Sequence, residues 1–149
     1  MQHRESEAAA MSHCLIPSKP QCSLLDRAQG RSLFVDAAIE RMFRFFARWR
    51  IQIEDLDIGL FGGAEILSAS SGPKSIGRAN IGIAHRLIEE RGLRFTLTDC
   101  GGKLGRKIVF NSSTGIVRRL ILGWAPAREE TVPPDRPSRG LLTALNRLP

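Results

Sequence analysis

The sequence predicts an α+β fold, with mixed β-sheet layers covered by two main helices and a closing antiparallel hairpin. Three observations carry this expectation. Ile39, Met42, Phe43 and Phe46 recur at i, i+3, i+4 and i+7, and Ile83, Ala84, Leu87 and Ile88 form a second stripe of helical period. Residues 57–61, D-I-G-L-F, read as a buried strand that stops at Gly62-Gly63, where a missing Cβ permits a bend or a close backbone approach. Residues 107–110 and 116–122 flank a glycine-containing loop at 111–115 and read as a hairpin. Parallel winding alone would not end this way, so the sheet is mixed.

Taken in order, residues 1–7 are too polar for a core strand, whereas 8–17 turn apolar around Ser12 and His13 and form a short strand ended by Pro17. A loop with Pro20, Gln21, Ser23 and Gly30 follows. Asp36 starts a helix that reaches about Trp49, with Glu40, Arg41, Arg44 and Arg48 outward and the aromatic side chains turned to the sheet. That stripe is core packing rather than a cofactor box. Residues 51–55 lead into the strand at 57–61, and the small polar run at 68–73 is a loop. Asn80 is the N-cap of a helix over 80–91 whose C′ residue is Gly92. A strand at 95–98 and a glycine turn at 99–102 precede the hairpin. From Trp124 onward, prolines alternate with charges in a mostly disordered tail, with a short final helix at 141–148. Residues 1–123 are therefore expected as one domain and 124–149 as a tail.

Composition excludes several function classes. No apolar run approaches the roughly 20 residues of a membrane helix, and the polar, mixed-charge start is no signal peptide, so the cytoplasm is the expected location. The net charge of +7 invites a nucleic-acid reading, but the arginines scatter and the chain has no tyrosine. A solvated basic surface that favours acidic partners fits better. Cys14, Cys22 and Cys100 match no disulfide framework or zinc spacing, and His3, His13 and His85 add no ligand pair. No metal is expected.

The most specific signal is a succession of short motifs. F-G-G-A at 61–64, I-G-x-x-N at 76–80 and D-x-G-G at 99–102 come first; R-K-I-V-F-N at 106–111, T-G at 114–115 and V-R-R at 117–119 follow. In this order they resemble the CheD family of chemoreceptor glutamine deamidases. Upstream, Phe34-Val35-Asp36-x-Ala38 is similar to the start of that family's first helix, and A-M-S-H at 10–13 with L-I-P at 15–17 resembles the stretch bearing its catalytic histidine. The resemblance covers residues 8–122 and implies helices over mixed sheets, with the catalytic pair at a sheet edge. It implies no cofactor. Methyl-accepting chemotaxis receptors are the implied protein substrate, and a CheC-type phosphatase is an implied partner.

Deamidating a glutamine requires a nucleophile for the carboxamide carbon, a base to activate it and donors for the oxyanion. By resemblance His13 is the base, and Gly62, Gly63, Asn80, Gly101 and Gly102 shape the pocket. The family's nucleophilic cysteine lies a strand and a turn upstream, in a Gly-Ser-Cys-type segment, and residues 1–7 match the turn after that strand. Two accounts follow: Met1 is an internal methionine of a longer reading frame, or the product lacks its nucleophile. Cys14 adjoins His13, and consecutive strand side chains point to opposite faces, so these two should not share a proton. Cys22 lies in the loop, and Cys100 beside Gly101-Gly102 is the nearest to a substitute. The competing function is a non-catalytic adaptor that binds receptors or the phosphatase.

Overall fold

The computed structural model describes residues 1–18, 33–66, 75–123 and 129–132. Within them, apolar periodicity has produced two helices that pack on one another. Helix α1 spans Val35–Arg48 and buries Val35, Ala38, Ile39, Phe43 and Phe46. Helix α2 spans Ile76–Glu89 and buries Ala84 and Ile88. All of these but Ala38 share one core with Leu56 and Ile58. Phe46 and Ile88 retain no solvent exposure, and each such side chain contributes about 1.5–3 kcal/mol through burial. At the C-terminal end of α2, Arg91 pairs with Glu40 of α1, and its guanidinium lies 5.0 Å from the centre of the Phe43 ring.

The strands fall into small sheets. Strand β1, Gln2–His3, pairs antiparallel with β2, Leu56–Asp57. Strand β3, Gly59–Gly62, pairs parallel with β4, Leu97–Cys100, and α2 lies between them in sequence, as a parallel pair requires. Strands β5, Gly105–Phe110, β6, Val117–Leu122, and β7, Glu129–Val132, form an antiparallel sheet in that order. The architecture is a mixed α+β fold.

The differences from the sequence expectations are local. The strand expected at 8–17 is an extended segment with isolated bridges only, Gln2 to Ala9 and Ile16 to Phe34. The polar start supplies β1 instead, because a backbone ladder at a sheet edge does not require apolar side chains. The single strand expected at 57–61 divides at buried Ile58. Its N–H donates to Thr96 Oγ1 at 3.0 Å and its C=O accepts from the Thr96 N–H at 2.9 Å, so the chain changes partner there. Residues Ile53–Asp55 of the expected lead-in form a 3₁₀ turn. Helix α2 starts four residues before Asn80, at a Ser75 N-cap whose Oγ accepts from the Arg78 N–H at 3.2 Å.

Two turns follow the expected chemistry. Gly92, at φ 68°, closes α2 with its N–H on Glu89 O and the Leu93 N–H on Ile88 O, a Schellman pair. In the hairpin loop, Asn111 Oδ1 accepts from the N–H groups of Ser113 and Thr114, and Gly115 takes φ 72°. Within the tail expected to be mostly disordered, residues 129–132 form β7, paired to β6 from Val117–Val132 to Leu120–Glu129. The short helix expected at 141–148 lies outside the described residues. No helix among the described residues is long and apolar enough to cross a membrane.

Candidate active site

Two parallel strands end side by side on glycine pairs. The register sets Gly62 of β3 opposite Cys100 of β4. Gly62, Gly63, Gly101 and Gly102 take φ values of 109°, 66°, 75° and 75°, a region that side chains disfavour. The Gly101 N–H donates to Gly62 O, and the Glu65 N–H to Gly102 O, both at 2.8 Å. In parallel arrangements the crevice beyond the carboxyl ends of the strands is the usual ligand position.

The first turn of α2 closes one side of this corner. A Cβ at Gly77 would stand 2.5 Å from Gly63 O, and a Cβ at Gly63 would stand 2.9 Å from Gly77 O, so backbone meets backbone. Asn80 and Ile81 lie one turn on from Gly77, at i+3 and i+4. Among the described residues Asn80 Oδ1 is buried without a hydrogen-bond partner, a condition that ordinarily requires an explanation. Glu65 reaches the start of the same helix: its Oε1 accepts from Ser75 Oγ and Arg78 Nε, each at 3.0 Å. A carboxylate there complements the helix dipole.

The corner is held from beneath by an arginine. Arg106, on β5, donates from Nη1 to Gly62 O at 3.1 Å and from Nη2 to Gly101 O at 2.9 Å. Its Nε lies 3.1 Å from Asp99 Oδ2, and Arg119 Nη1 donates to the same oxygen at 3.0 Å. The Arg106 side chain is 9% exposed and that of Asp99 15%, so water screens this charge cluster poorly. Sequence reasoning placed the arginines on a solvated surface and missed these two. The available signal was Arg106 four residues after the second glycine pair, with Asp99 just before it.

Of the predicted site residues, Gly62, Gly63, Gly101 and Gly102 meet in this corner, and Asn80 stands on the helix that flanks it. His13 is on the extended segment at 11–15, exposed to solvent, and no hydrogen bond or ion pair among the described residues joins it to the glycines. Cys14 turns the other way, partly buried against the core, with Ser12 Oγ 3.7 Å from its sulfur. Burial, opposed by the Ser12 hydrogen bond and reinforced by Asp36, pushes the Cys14 thiol above its ordinary pKa. Cys100 is likewise raised by burial, against the opposing charge of Arg106, and its S–H donates to Leu60 O at 3.4 Å. Neither sulfur is a poised thiolate. Cys22 lies outside the described residues.

Comparison with known proteins converges on one family. The model of CheD chemotactic sensory transduction proteins matches residues 16–119, a span that holds the four glycines, Asn80, Asp99 and Arg106 and begins three residues after His13. The chain is 33% identical over 117 residues to a protein of Geobacter sulfurreducens named "Probable chemoreceptor glutamine deamidase CheD 2", covering 77% of this chain and 69% of the relative. Similarly named proteins are 36% identical over 107 residues in Trichlorobacter lovleyi, with coverages of 72% and 63%, and 30% identical over 119 residues in Thermococcus kodakarensis, with coverages of 77% and 70%. The chain thus spans about two thirds of the length of these relatives. With the family model matched over most of its residues, the chain belongs to the CheD family.

Proposed function

We propose that this chain is the deamidase domain of a chemoreceptor glutamine deamidase, converting glutamine to glutamate on helical methyl-accepting receptors in the cytoplasm. The match over residues 16–119 is the observation that most supports the reading. The crossed glycine corner supplies what a carboxamide site requires: close backbone approach and peptide N–H groups beyond two strand ends. His13 is the proposed base. It takes the proton of a cysteine thiol, the thiolate attacks the carboxamide carbon, and the imidazolium returns the proton to the departing ammonia. Water then hydrolyses the thioester.

The elevated thiols of Cys14 and Cys100 argue against either as the nucleophile. The family resemblance implies a nucleophile in a Gly-Ser-Cys-type segment on a strand ahead of His13, and this reading takes the thiol from there. The test compares the 149-residue chain with one extended by the preceding in-frame codons. A gain of about one dalton per modified receptor peptide, abolished by His13→Ala, is expected for the extended chain. No mass change in either chain refutes the reading.

The thiol geometry also favours a second reading, a non-catalytic adaptor that holds receptors or a CheC-type phosphatase. Receptor capture that survives His13→Ala without ammonia release from the extended chain would select it.

A further inference from the structure

The two glycine pairs share a property that isolated glycines lack. A peptide group is planar, and its C=O and N–H point in opposite directions. Between two glycines that plane has no Cβ on either side, so it can rotate as a unit and exchange N–H for C=O on a given face at low steric cost. Peptides 62–63 and 101–102 are both of this kind, and one guanidinium holds both carbonyls, Gly62 O at 3.1 Å and Gly101 O at 2.9 Å. The N–H groups of Gly63 and Gly102 therefore point away from Arg106.

We propose that Arg106 is a positioning residue that locks both diglycine peptides in one orientation and so presents the Gly63 and Gly102 N–H groups as donors. A planar fork suits this task, because two Nη atoms at fixed separation reach two carbonyls while the guanidinium stays ion-paired to an anchor. Asp99 Oδ2 is that anchor, and Arg119 secures it from β6. The functional consequence rests on the deamidase reading. A glutamine carboxamide carries an acceptor oxygen and a donor nitrogen, and a flipped peptide would replace a donor by an acceptor and favour the amide turned end for end.

The test uses the full chain labelled with ¹⁵N, as wild type, Arg106→Lys and Arg106→Gln. The wild type is expected to show one set of Gly63 and Gly102 amide signals. In both variants these signals should broaden or double, and the Gly101 amide should exchange with solvent about tenfold faster, while Ala84 and Ile88 stay within about twofold. Unchanged glycine signals in a folded variant overturn the lock. Should Arg106→Gln fail to fold, Arg106→Lys and Asp99→Asn, which removes the anchor and keeps the fork, give the same reading. In a chain that deamidates receptor peptide, Arg106→Lys should lower kcat about tenfold or more with KM nearly constant. Undiminished kcat alongside broadened glycine signals overturns the role in turnover. A chain without activity counts against the deamidase reading, and the glycine spectra then decide the lock.

Discussion

Gly77 and Gly82 lie on one helix, yet their substitution by alanine should have opposite effects. A Cβ at Gly77 would meet the Gly63 backbone at 2.5, 2.8 and 3.2 Å, whereas one at Gly82 meets nothing within 4 Å. Alanine in a helix gains about 1 kcal/mol over glycine. At position 77 overpacking of about 1–3 kcal/mol opposes that gain, and the upper part of the range applies because the obstructing atoms are backbone. Gly77→Ala is expected to lose about 1–2 kcal/mol net and Gly82→Ala to gain about 0.5–1 kcal/mol, read as shifts of the urea midpoint. A Gly77→Ala midpoint at or above the wild type would refute the close approach. The sequence made the glycine pattern legible as a set of motifs but could not separate Arg106 from its exposed counterparts. A buried and a solvated arginine are the same letter, and only the carbonyls and carboxylate around it distinguish them.

The start of α2 shows how an element boundary is decided between competing caps. Asn80 is a good N-cap by type, but Ser75 accepts the Arg78 N–H and is itself engaged by Glu65. Gly77, a poor helix former, is retained in the first turn because only a residue without Cβ passes Gly63. Ser75→Ala should cost about 1–2 kcal/mol, lowering Tm by about 2–4 °C per kcal/mol for a chain of this size. Asn80→Ala removes no cap and should leave Tm nearly constant. Equal losses from both substitutions would contradict this assignment. The far end of the helix was legible, because Gly92 satisfies a rule written in immediate neighbours. The near end depended on Glu65, ten residues away in a different element.

Across the molecule, the Asp99 cluster ties the parallel pair to the antiparallel sheet, with β4, β5 and β6 each contributing one charge. Asp99→Asn removes the anion beside the buried Arg106 guanidinium and should cost about 3 kcal/mol, measured by denaturant unfolding; a loss typical of an exposed pair, under about 1 kcal/mol, would show the cluster to be solvated. In the 149-residue chain the free Met1 amine adds a pH dependence. Burial lowers the Met1 amine from 8.0 to about 6, against a raising influence from Asp57, while its proton is donated to Ala10 O at 2.9 Å. A folded value below the unfolded one means that the unfolded chain binds the proton more tightly. Stability is therefore full above pH 8 and falls as the pH drops towards 6, by about 2 kcal/mol. Urea unfolding at pH 8.5 and pH 6 should reveal this slope, and acetylation of the amine should remove the contribution.

Residue spacing alone was enough for the two helices, their buried faces, the hairpin turn and the glycine corners, since each depends on residues within a few positions of one another. The parallel pairing of β3 with β4, the division of the strand at Ile58 and the pairing of Gln2–His3 with Leu56–Asp57 were settled only in three dimensions. So were the burial of Arg106 and the outward turn of His13 opposite Cys14. These features join segments tens of residues apart. Loop closure and shared packing choose among partners there, and no local periodicity records that choice.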